Sequence, residues 1–495
     1  MTPTKGPGRE RFSSRFLFVS LLVLAAAFVL LWKLGAGSLA AWDEAIYAQV
    51  SKEMVRGGGW LTPHWGDRPW FEKPPLFMWV TALFYRLFGV GEFWARVPSA
   101  LSGIALVAVT YSIGKDVYGQ VAGLLSALVL LTCYHFLSFA RFGTMDVMLT
   151  LFIYLALYAY VRLKGGNQRW WYLLWSACAL AMMVKGAAGI VAPTAILLAL
   201  LFEKRLGDAI RSAHFRRGVL LALLIIAPWH VLMYVRHGNA FTDEYIGYHV
   251  IARSTRTLEG HPSGYFYYVA RLIDGFFPWC LLVPFAVVSS IRRDDEALSG
   301  SRELLLLLCA LVFGLYTLIP TRRPWYIVPL YPALSILIAV FICRLRRKYQ
   351  SRPVRRRLVT VACVILVIVG GLYSLVSLNF NRRTEEPVAK LSSRARSDGP
   401  DDKDALVLLH GVEPIYAQVP LFYSDRTVRQ AYASDRPDSP YAERYVSYED
   451  LAEVVRDGTK RIILRREEIE RLSADYDIQV LAEDGPLAYA TIKHR

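Results

Sequence analysis

The chain has 495 residues, 55% of them hydrophobic, with a mean hydropathy of +0.32 and a formal net charge of +16. This composition excludes an ordinary soluble globular protein and indicates an integral membrane protein. The arginines flank apolar segments and are not interleaved with aromatics in a recognition fold, which argues against nucleic acid as a partner. All six cysteines lie within apolar segments, so neither a disulfide framework nor a thiolate metal site is predicted.

Eleven apolar segments approach the length of about 20 residues that a membrane-spanning helix requires. They are 15–38, 95–114, 119–140, 145–163, 170–184, 186–202, 217–235, 265–290, 303–319, 325–343 and 358–378. The first is too long for a secretory signal peptide and lacks a small-residue cleavage site, so we interpret it as a retained span. The sequence therefore predicts a mostly α-helical, polytopic membrane bundle of about eleven spans.

Lysine and arginine gather in alternate connections between these segments. The clusters lie at the amino terminus and at 162–169, 204–217, 292–293 and 344–357. Because such clusters stay in the cytoplasm, the amino terminus is predicted to be cytoplasmic. The loop that contains Asp43, and the residues after 378, are then extracytoplasmic.

The first outer loop, residues 39–94, is much longer than a turn and is predicted to form a structured cap. Trp42, Ile46, Val50 and Met54 recur at four-residue steps, which predicts a helix over 42–55 that ends before a run of glycines. The apolar stretch 76–89 is too short to span the bilayer, so it is interpreted as a second interfacial helix.

Beyond the last span the composition changes. We expect a transmembrane catalytic domain over 1–380, a charged linker over 381–404 and a small soluble α/β domain over 405–495. Apolar runs at 405–409, 461–464 and 478–481 are typical of strands. The spacing of Ser447-Tyr448-Glu449-Asp450 is that of a capping box opening a helix over 448–456.

Charged and polar residues at the predicted outer ends of the spans are the candidates for chemistry, because a charge near hydrocarbon costs roughly 2.5–3.5 kcal/mol. Eleven such residues, from seven places in the sequence, map to one face of the membrane. They are Asp43, Glu44, Glu72, Lys73, Asp146, Lys185, His249, Arg253, Arg322, Arg323 and Tyr326.

Simpler explanations exist for single members of this set. Lys185 or Arg322 alone is explained by snorkelling to the surface, and Asp146 by a favourable interaction with a helix dipole. His249 alone would be an ordinary surface histidine. The adjacent carboxylates Asp43 and Glu44 are the strongest candidates for catalysis, since they repel one another and are retained where a substrate or cation needs negative charge.

Transfer of a sugar from a lipid phosphate uses outward-facing carboxylates together with cations. A carboxylate would take the proton of the acceptor hydroxyl, and lysine or arginine would stabilise the leaving phosphate, with a metal ion as the alternative. The chain has neither a P-loop nor a dinucleotide fingerprint, so no nucleotide site is predicted.

Several stretches of the sequence carry a family resemblance. They include Trp42-Asp43-Glu44-Ala45-Ile46-Tyr47-Ala48, Phe71-Glu72-Lys73-Pro74-Pro75-Leu76, Arg141-Phe142-Gly143-Thr144-Met145-Asp146 and Pro324-Trp325-Tyr326. The chain resembles the bacterial aminoarabinose transferases of lipid A and, more broadly, the dolichyl-phosphate-mannose protein mannosyltransferase family. The resemblance implies a GT-C fold in a bacterial inner membrane, with a polyprenyl-phosphate sugar donor and an inverting transfer at the periplasmic face.

The resemblance also implies roles for residues. Asp43 would be the base or its orienting partner, with Glu44 beside it as a catalytic residue. Residues expected to bind substrate are Tyr47, Glu72, Lys73, Asp146, Lys185, His249, Arg253, Arg322 and Tyr326. No cofactor is required, although Glu72 and His249 would be the ligands of a divalent metal ion if one were bound.

Other readings of the sequence remain open. The acceptor is lipid A, another envelope glycan or a protein, and a protein O-mannosyltransferase is the nearest rival enzyme. A lipid or sugar transporter would place polar residues at mid-span and show inverted halves. The polar residues of this sequence lie chiefly at the predicted outer ends of the spans, and no such symmetry is seen. A non-catalytic scaffold that uses the carboxyl-terminal domain as a docking module would not need the carboxylates of the cap.

Overall fold

The computed structural model is mostly helical, with a small sheet near the carboxyl terminus. It describes residues 7–57, 59–66, 68–256, 264–291, 301–379, 386–397, 406–408, 418–424, 428–432, 445–447, 451, 455–456 and 458–495. The predicted capping box at 447–450 lies outside these residues except for Ser447.

The longer helices follow the apolar segments of the sequence. Their bounds are Pro7–Leu31, Asp43–Val55, Leu76–Phe88, Glu92–Tyr118, Gln120–Leu131, Tyr134–Ala140, Asp146–Leu163, Trp170–Lys185, Val191–Phe202, Ala213–His237, Tyr267–Gly275, Val283–Ile291, Ser301–Leu318, Leu330–Lys348 and Pro353–Asn379. A π-helix spans Asp243–Ala252, and short 3₁₀ turns occupy Gly186–Ile190, Trp279–Leu282 and Pro324–Ile327.

The number of spans differs from the prediction of eleven. Within the described residues, six helices are long and apolar enough to cross a membrane, or up to eight if each of two bent pairs counts as one span. Segment 119–140 bends by 70° after Leu131, and segment 265–290 bends by 116° between Gly275 and Trp279. Hydrophobicity along the sequence does not reveal such bends, and it also counted Leu330–Lys348, whose last turn carries Arg346, Arg347 and Lys348.

The described contacts divide the chain into two compact units. The first comprises Met1–Leu34, Phe71–Phe77 and Arg96–Asn381, and the second comprises Gly35–Trp70, Met78–Ala95 and Arg382–Arg495. The predicted division placed the whole cap with the bundle, whereas these contacts group most of the cap with the carboxyl-terminal region. The predicted linker contains a helix, Glu386–Ser397.

The first unit is the helical bundle. Asp146–Leu163 packs along Trp170–Lys185, which in turn packs along Ala213–His237. Buried polar side chains bind backbone carbonyls: the Ser99 hydroxyl donates to the carbonyl of Thr144 at 2.6 Å, and the Tyr154 hydroxyl to that of Pro329 at 2.9 Å. Such bonds satisfy polar groups that would otherwise be costly to bury.

The second unit contains the helix Asp43–Val55, which we call the cap helix, and a six-stranded sheet. The strands are β1 Leu406–Leu408, β2 Val428–Tyr432, β3 Tyr445–Ser447, β4 Lys460–Arg465, β5 Tyr476–Asp484 and β6 Leu487–His494. Their order is β3-β2-β1-β4-β6-β5; β1 to β4 are parallel, and β6 pairs antiparallel with β4 and β5. The predicted cap helix and the three predicted strands are confirmed.

Candidate active site

Asp146 and Lys185 form a buried ion pair in the first unit. Asp146 opens the helix Asp146–Leu163 and Lys185 ends the neighbouring helix, so the two ends meet although 39 residues separate them. The Lys185 ammonium donates directly to the Asp146 carboxylate, and the two side chains are 9% and 4% exposed. The Lys185 nitrogen also lies 5.3 Å from the centre of the Tyr326 ring. Three predicted site residues are therefore brought together.

The chain turns sharply after Lys185. Gly186 has φ 54°, a left-handed conformation that glycine adopts without strain. A Cβ at this position would lie 2.6 Å from the Tyr245 hydroxyl, so the space beside the Lys185 backbone is filled by that tyrosine. Tyr245 belongs to the π-helix, which also carries His249.

A second charged group consists of Glu72, Lys73, His249 and Arg253. The His249 Nε2 atom lies 3.9 Å from the Glu72 carboxylate, which is too long for a hydrogen bond. Neither ring nitrogen of His249 has a hydrogen-bond partner among the described residues, although its side chain is only 3% exposed. This buried imidazole faces a cluster of charges without being bonded to any of them.

The charge state of His249 follows from its surroundings. Burial lowers the pKa of His249 well below its ordinary value, and the positive charges of Lys73 and Arg253 lower it further. The imidazole is therefore neutral near pH 7. Among the four residues there are then two basic side chains and one carboxylate, a balance that suits an anionic ligand.

The segment that carries Glu72 and Lys73 is fixed to the π-helix. The backbone N–H of Phe71 donates to the Glu244 carboxylate at 3.0 Å, and the Phe71 ring packs edge-on against Phe241 at 5.5 Å. The His230 Nε2 atom lies 3.3 Å from the Tyr245 hydroxyl, while Nδ1 donates to the carbonyl of Ile226. The neutral ring then accepts from the tyrosine, whose pKa is raised to about 12 by burial.

Sequence reasoning did not assign Glu244, Tyr245 or His230 to the site. A usable signal existed for His230, because an ionisable residue within an apolar span is a functional candidate by default. Arg322, in contrast, was predicted to bind substrate. It donates to the carbonyl of Thr317 at 2.7 Å and lies 5.4 Å from the Tyr265 ring, contacts that fix its own loop. Arg323 lies 5.7 Å from the Trp325 ring.

Asp43, Glu44 and Tyr47 lie in the second unit, on the cap helix. Glu44 is 2% exposed and accepts a 2.6 Å hydrogen bond from the backbone N–H of Ala40. Tyr47 is 1% exposed and packs edge-on against Trp70 at 6.0 Å. Trp42, just before Asp43, has φ 65° and ψ −131°, a strained backbone conformation for a residue with a side chain.

The donors for a divalent metal are sparse. In the part of the chain that the structure describes, no three His, Cys, Asp or Glu residues are grouped so that they could hold a metal ion. The expected ligands Glu72 and His249 are two donors only, and Lys73 and Arg253 beside His249 repel a cation. The residues present fit a metal ion poorly.

Comparison with known structures defines the class of protein. The crystal structure of ArnT from Cupriavidus metallidurans bound to undecaprenyl phosphate superposes with a TM-score of 0.79 at 21% identity, covering 97% of this chain and 98% of that one. An oligosaccharyltransferase from Archaeoglobus fulgidus gives 0.65 at 11% identity, covering 92% and 70%. These likenesses establish the fold: the chain has an ArnT-like GT-C fold.

Sequence comparison gives the family that it resembles. The family model described as dolichyl-phosphate-mannose-protein mannosyltransferase matches residues 72–232. An undecaprenyl phosphate-α-4-amino-4-deoxy-L-arabinose arabinosyl transferase from Erwinia tasmaniensis is 30% identical over 306 residues, 60% of this chain and 54% of the relative. An uncharacterised protein from Aquifex aeolicus is 28% identical over 332 residues, 66% and 64%. The chain thus resembles the aminoarabinose transferases, as predicted, and spans 54–64% of the length of these relatives.

Proposed function

We propose that the protein is a membrane glycosyltransferase that moves a sugar from a polyprenyl phosphate to lipid A or another acceptor of the cell envelope. The observation that carries the proposal is the group of Glu72, Lys73, His249 and Arg253, with more cations than carboxylates and a neutral, buried imidazole. A polyprenyl phosphate carries the matching negative charge. Relatives named as undecaprenyl phosphate-dependent arabinosyl transferases support the same donor.

In the proposed reaction, an acceptor oxygen attacks the anomeric carbon of the sugar. The bond between that carbon and the phosphate oxygen breaks, and the electron pair leaves with the lipid phosphate. Lys73 and Arg253 would stabilise the charge that develops on the phosphate, because charge-assisted donors are strongest towards an anion. His249, neutral at pH 7, would donate or accept a hydrogen bond at the sugar or phosphate.

Asp43 is proposed to take the proton of an acceptor hydroxyl. It begins the cap helix, is half-buried, and follows the strained residue Trp42; strained conformations cluster at functional sites. Glu44, bonded to the backbone of Ala40, is proposed to hold this turn and not to exchange protons itself. Tyr47 is buried against Trp70 and is proposed to support the cap helix, whereas the resemblance implies that it binds substrate.

Asp146 and Lys185 are proposed to position Tyr326 at the wall of the sugar site. Their mutual neutralisation leaves Lys185 with little charge to offer a phosphate. Transfer is proposed to proceed without a metal ion, since Glu72 and His249 are only two donors beside two cations. Activity should then survive removal of divalent ions with a chelator.

A second candidate is a protein O-mannosyltransferase, which the family match over residues 72–232 favours. The two enzymes differ in acceptor, and both would work at the periplasmic face of a bacterial inner membrane. Labelling of single cysteines at positions 43, 72 and 249 with a membrane-impermeant reagent tests that orientation. Labelling only from the cytoplasmic side would overturn it.

Mass spectrometry of lipid A, other envelope glycans and secreted proteins, from cells with and without the gene, would identify sugar and acceptor together. The expected result is one glycan-bearing species that disappears without the gene and returns with the wild-type protein. Asp43→Asn should insert normally and fail to restore it. Full restoration by that variant would remove the base assignment, and unchanged envelope components would contradict transfer itself.

A further inference from the structure

A single tyrosine of the carboxyl-terminal region binds two separate stretches of the second unit. Tyr423 lies in the helix Gln418–Ser424, which we call the clasp helix. Its hydroxyl accepts from the backbone N–H of Leu39 at 3.0 Å and donates to the Glu92 carboxylate at 2.8 Å. Leu39 lies 384 positions from Tyr423 in the sequence, and Glu92 lies 331 positions from it.

A buried lysine makes a second attachment to the same helix. Lys52, in the last turn of the cap helix, is 2% exposed. Its ammonium donates to the backbone carbonyl of Phe422 and lies 4.7 Å from the centre of the Phe422 ring. Burying an ammonium is expensive without partners of this kind, so the contact specifies where the clasp helix meets the cap helix.

The Tyr423 bond falls on the turn that presents Asp43. Leu39 is three residues before the strained Trp42, and the next N–H along the chain, that of Ala40, is held by Glu44 at 2.6 Å. A strained residue costs of order 1–3 kcal/mol and persists only when its surroundings fix it. Two consecutive backbone N–H groups just before the strained Trp42 are therefore hydrogen-bonded. The acceptor of the first is Tyr423, in the carboxyl-terminal region.

The clasp helix is itself firmly supported. Val419, Leu421 and Phe422 are buried, and the helix packs against Glu386–Ser397, which lies against strands β4, β5 and β6. The sheet has its own core, which includes Val407, Ile462, Leu464, Ala490 and Ile492. A continuous packed path thus runs from this core to the cap helix.

We propose that the carboxyl-terminal region fixes the geometry of the cap, with Tyr423 as a positioning residue for Asp43 and Lys52 as the anchor of the clasp helix. This inference rests on the proposed function for its catalytic consequence. Its structural content, that Tyr423 immobilises the turn at residues 39–43, does not. The small soluble domain is then a part of the catalytic machinery and not a docking module.

The test compares Tyr423→Phe with Tyr476→Phe in the full-length protein in detergent. Both variants remove one hydroxyl from a tyrosine of the same region, but Tyr476 packs in the core of the sheet. Hydrogen exchange of peptides covering residues 39–47, followed by mass spectrometry, should accelerate roughly tenfold in Tyr423→Phe, because the backbone N–H of Leu39 loses its bond to the hydroxyl. It should stay unchanged in Tyr476→Phe. Unchanged exchange in Tyr423→Phe, or equal acceleration in both, would overturn the inference.

Kinetics of sugar transfer separate positioning from general stability. Tyr423→Phe should lower kcat roughly tenfold with the KM for the donor unchanged, since the cations proposed to bind phosphate lie outside the altered turn. Lys52→Met should reproduce the faster exchange, and Lys52→Arg should restore most of the protection. Faster exchange with unchanged kcat would overturn the positioning role. If the wild type transfers no sugar, the proposed function fails. The exchange experiment still decides whether Tyr423 immobilises the turn at residues 39–43.

Discussion

Two charged groups in the first unit differ in how closely their opposite charges approach. Asp146 and Lys185 are in direct contact and nearly inaccessible, so each charge is satisfied by the other. Glu72 and His249 stand 3.9 Å apart, and both ring nitrogens of the imidazole lack hydrogen-bond partners among the described residues. A pair that is neutralised within the protein has mainly a structural value, whereas two cations and one carboxylate around a buried imidazole suit an anionic ligand.

This difference sorts residues that look alike in the sequence. Lys73 and Lys185 are both lysines that stand beside apolar stretches of the sequence, and both were expected to bind substrate. Their surroundings differ: Lys185 holds Asp146 and faces the ring of Tyr326. The Lys73 ammonium donates to the backbone carbonyl of Glu72 at 3.1 Å, and its charge helps to lower the pKa of His249.

Lys185→Met gives the largest expected loss of stability. It would leave the Asp146 carboxylate buried without its cation, which costs about 3–5 kcal/mol when one partner of such a pair is removed. Thermal unfolding in detergent should show a clearly lower midpoint. The double variant Asp146→Asn, Lys185→Met should recover most of the loss, because no lone charge remains. A single variant as stable as the wild type would show that the pair is not buried in this way.

Gly186→Ala tests the link between the two groups at the Tyr245 hydroxyl. Gly238→Ala is a matched control, since its φ of 51° resembles the 54° of Gly186 but an added Cβ meets nothing within 4 Å. Both substitutions carry a backbone penalty of order 1–3 kcal/mol, because φ and ψ at the two positions are nearly the same and disfavour a side chain. Only Gly186→Ala should also lower the rate of sugar transfer, by roughly tenfold, since a displacement of about 1 Å is enough for such losses.

The double variant Gly186→Ala, Tyr245→Phe tests whether the Tyr245 hydroxyl is the cause of that loss. It removes the oxygen that the new Cβ would strike and should restore part of the activity lost in Gly186→Ala. Equal losses in the Gly186 and Gly238 variants would mean that Tyr245 does not connect the two groups.

The smallest expected effect concerns pH. The pKa of His249 is lowered in the folded protein, so between that pKa and the unfolded value of about 6.5 the unfolded chain binds more protons. This residue therefore costs stability as the pH falls below about 6.5. His249→Gln should show a smaller drop in unfolding temperature on acidification than the wild type, and the exposed His494→Gln should not. Identical drops in all three proteins would contradict a buried neutral imidazole.

Local structure was largely predictable from local patterns. Four-residue spacing gave the cap helix, and short apolar runs gave β1, β4 and β5. The remainder depends on contacts between distant residues: Lys52 meets the carbonyl of Phe422 across 370 positions. Hydropathy alone does not reveal the bends after Leu131 and Gly275, although Pro278 in the second break is a local signal that one continuous helix cannot form there.

The sequence indicated which residues to consider for the candidate site, but it did not indicate which of them contact one another. The chemistry of a lipid phosphate selected Glu72, Lys73 and His249 from the sequence, and the structure places these in one group with Arg253. That Asp146 and Lys185 neutralise each other was not foreseen, because a pattern of charges at span ends does not say which of them touch. Tyr245 was missed because an isolated tyrosine in an outer loop has no distinguishing sequence signal.

The most direct test of the central claim, recognition of a lipid phosphate by the group around His249, is equilibrium binding of undecaprenyl phosphate and of undecaprenol to the purified protein. The wild type should bind the phosphate at least roughly tenfold more tightly, as expected for charge-assisted bonds to the phosphate. The double variant Lys73→Ala, Arg253→Ala should lose that preference, and the exposed Lys348→Ala should keep it. Equal affinity of the wild type for both lipids, or a preference that survives in the double variant, would contradict the account.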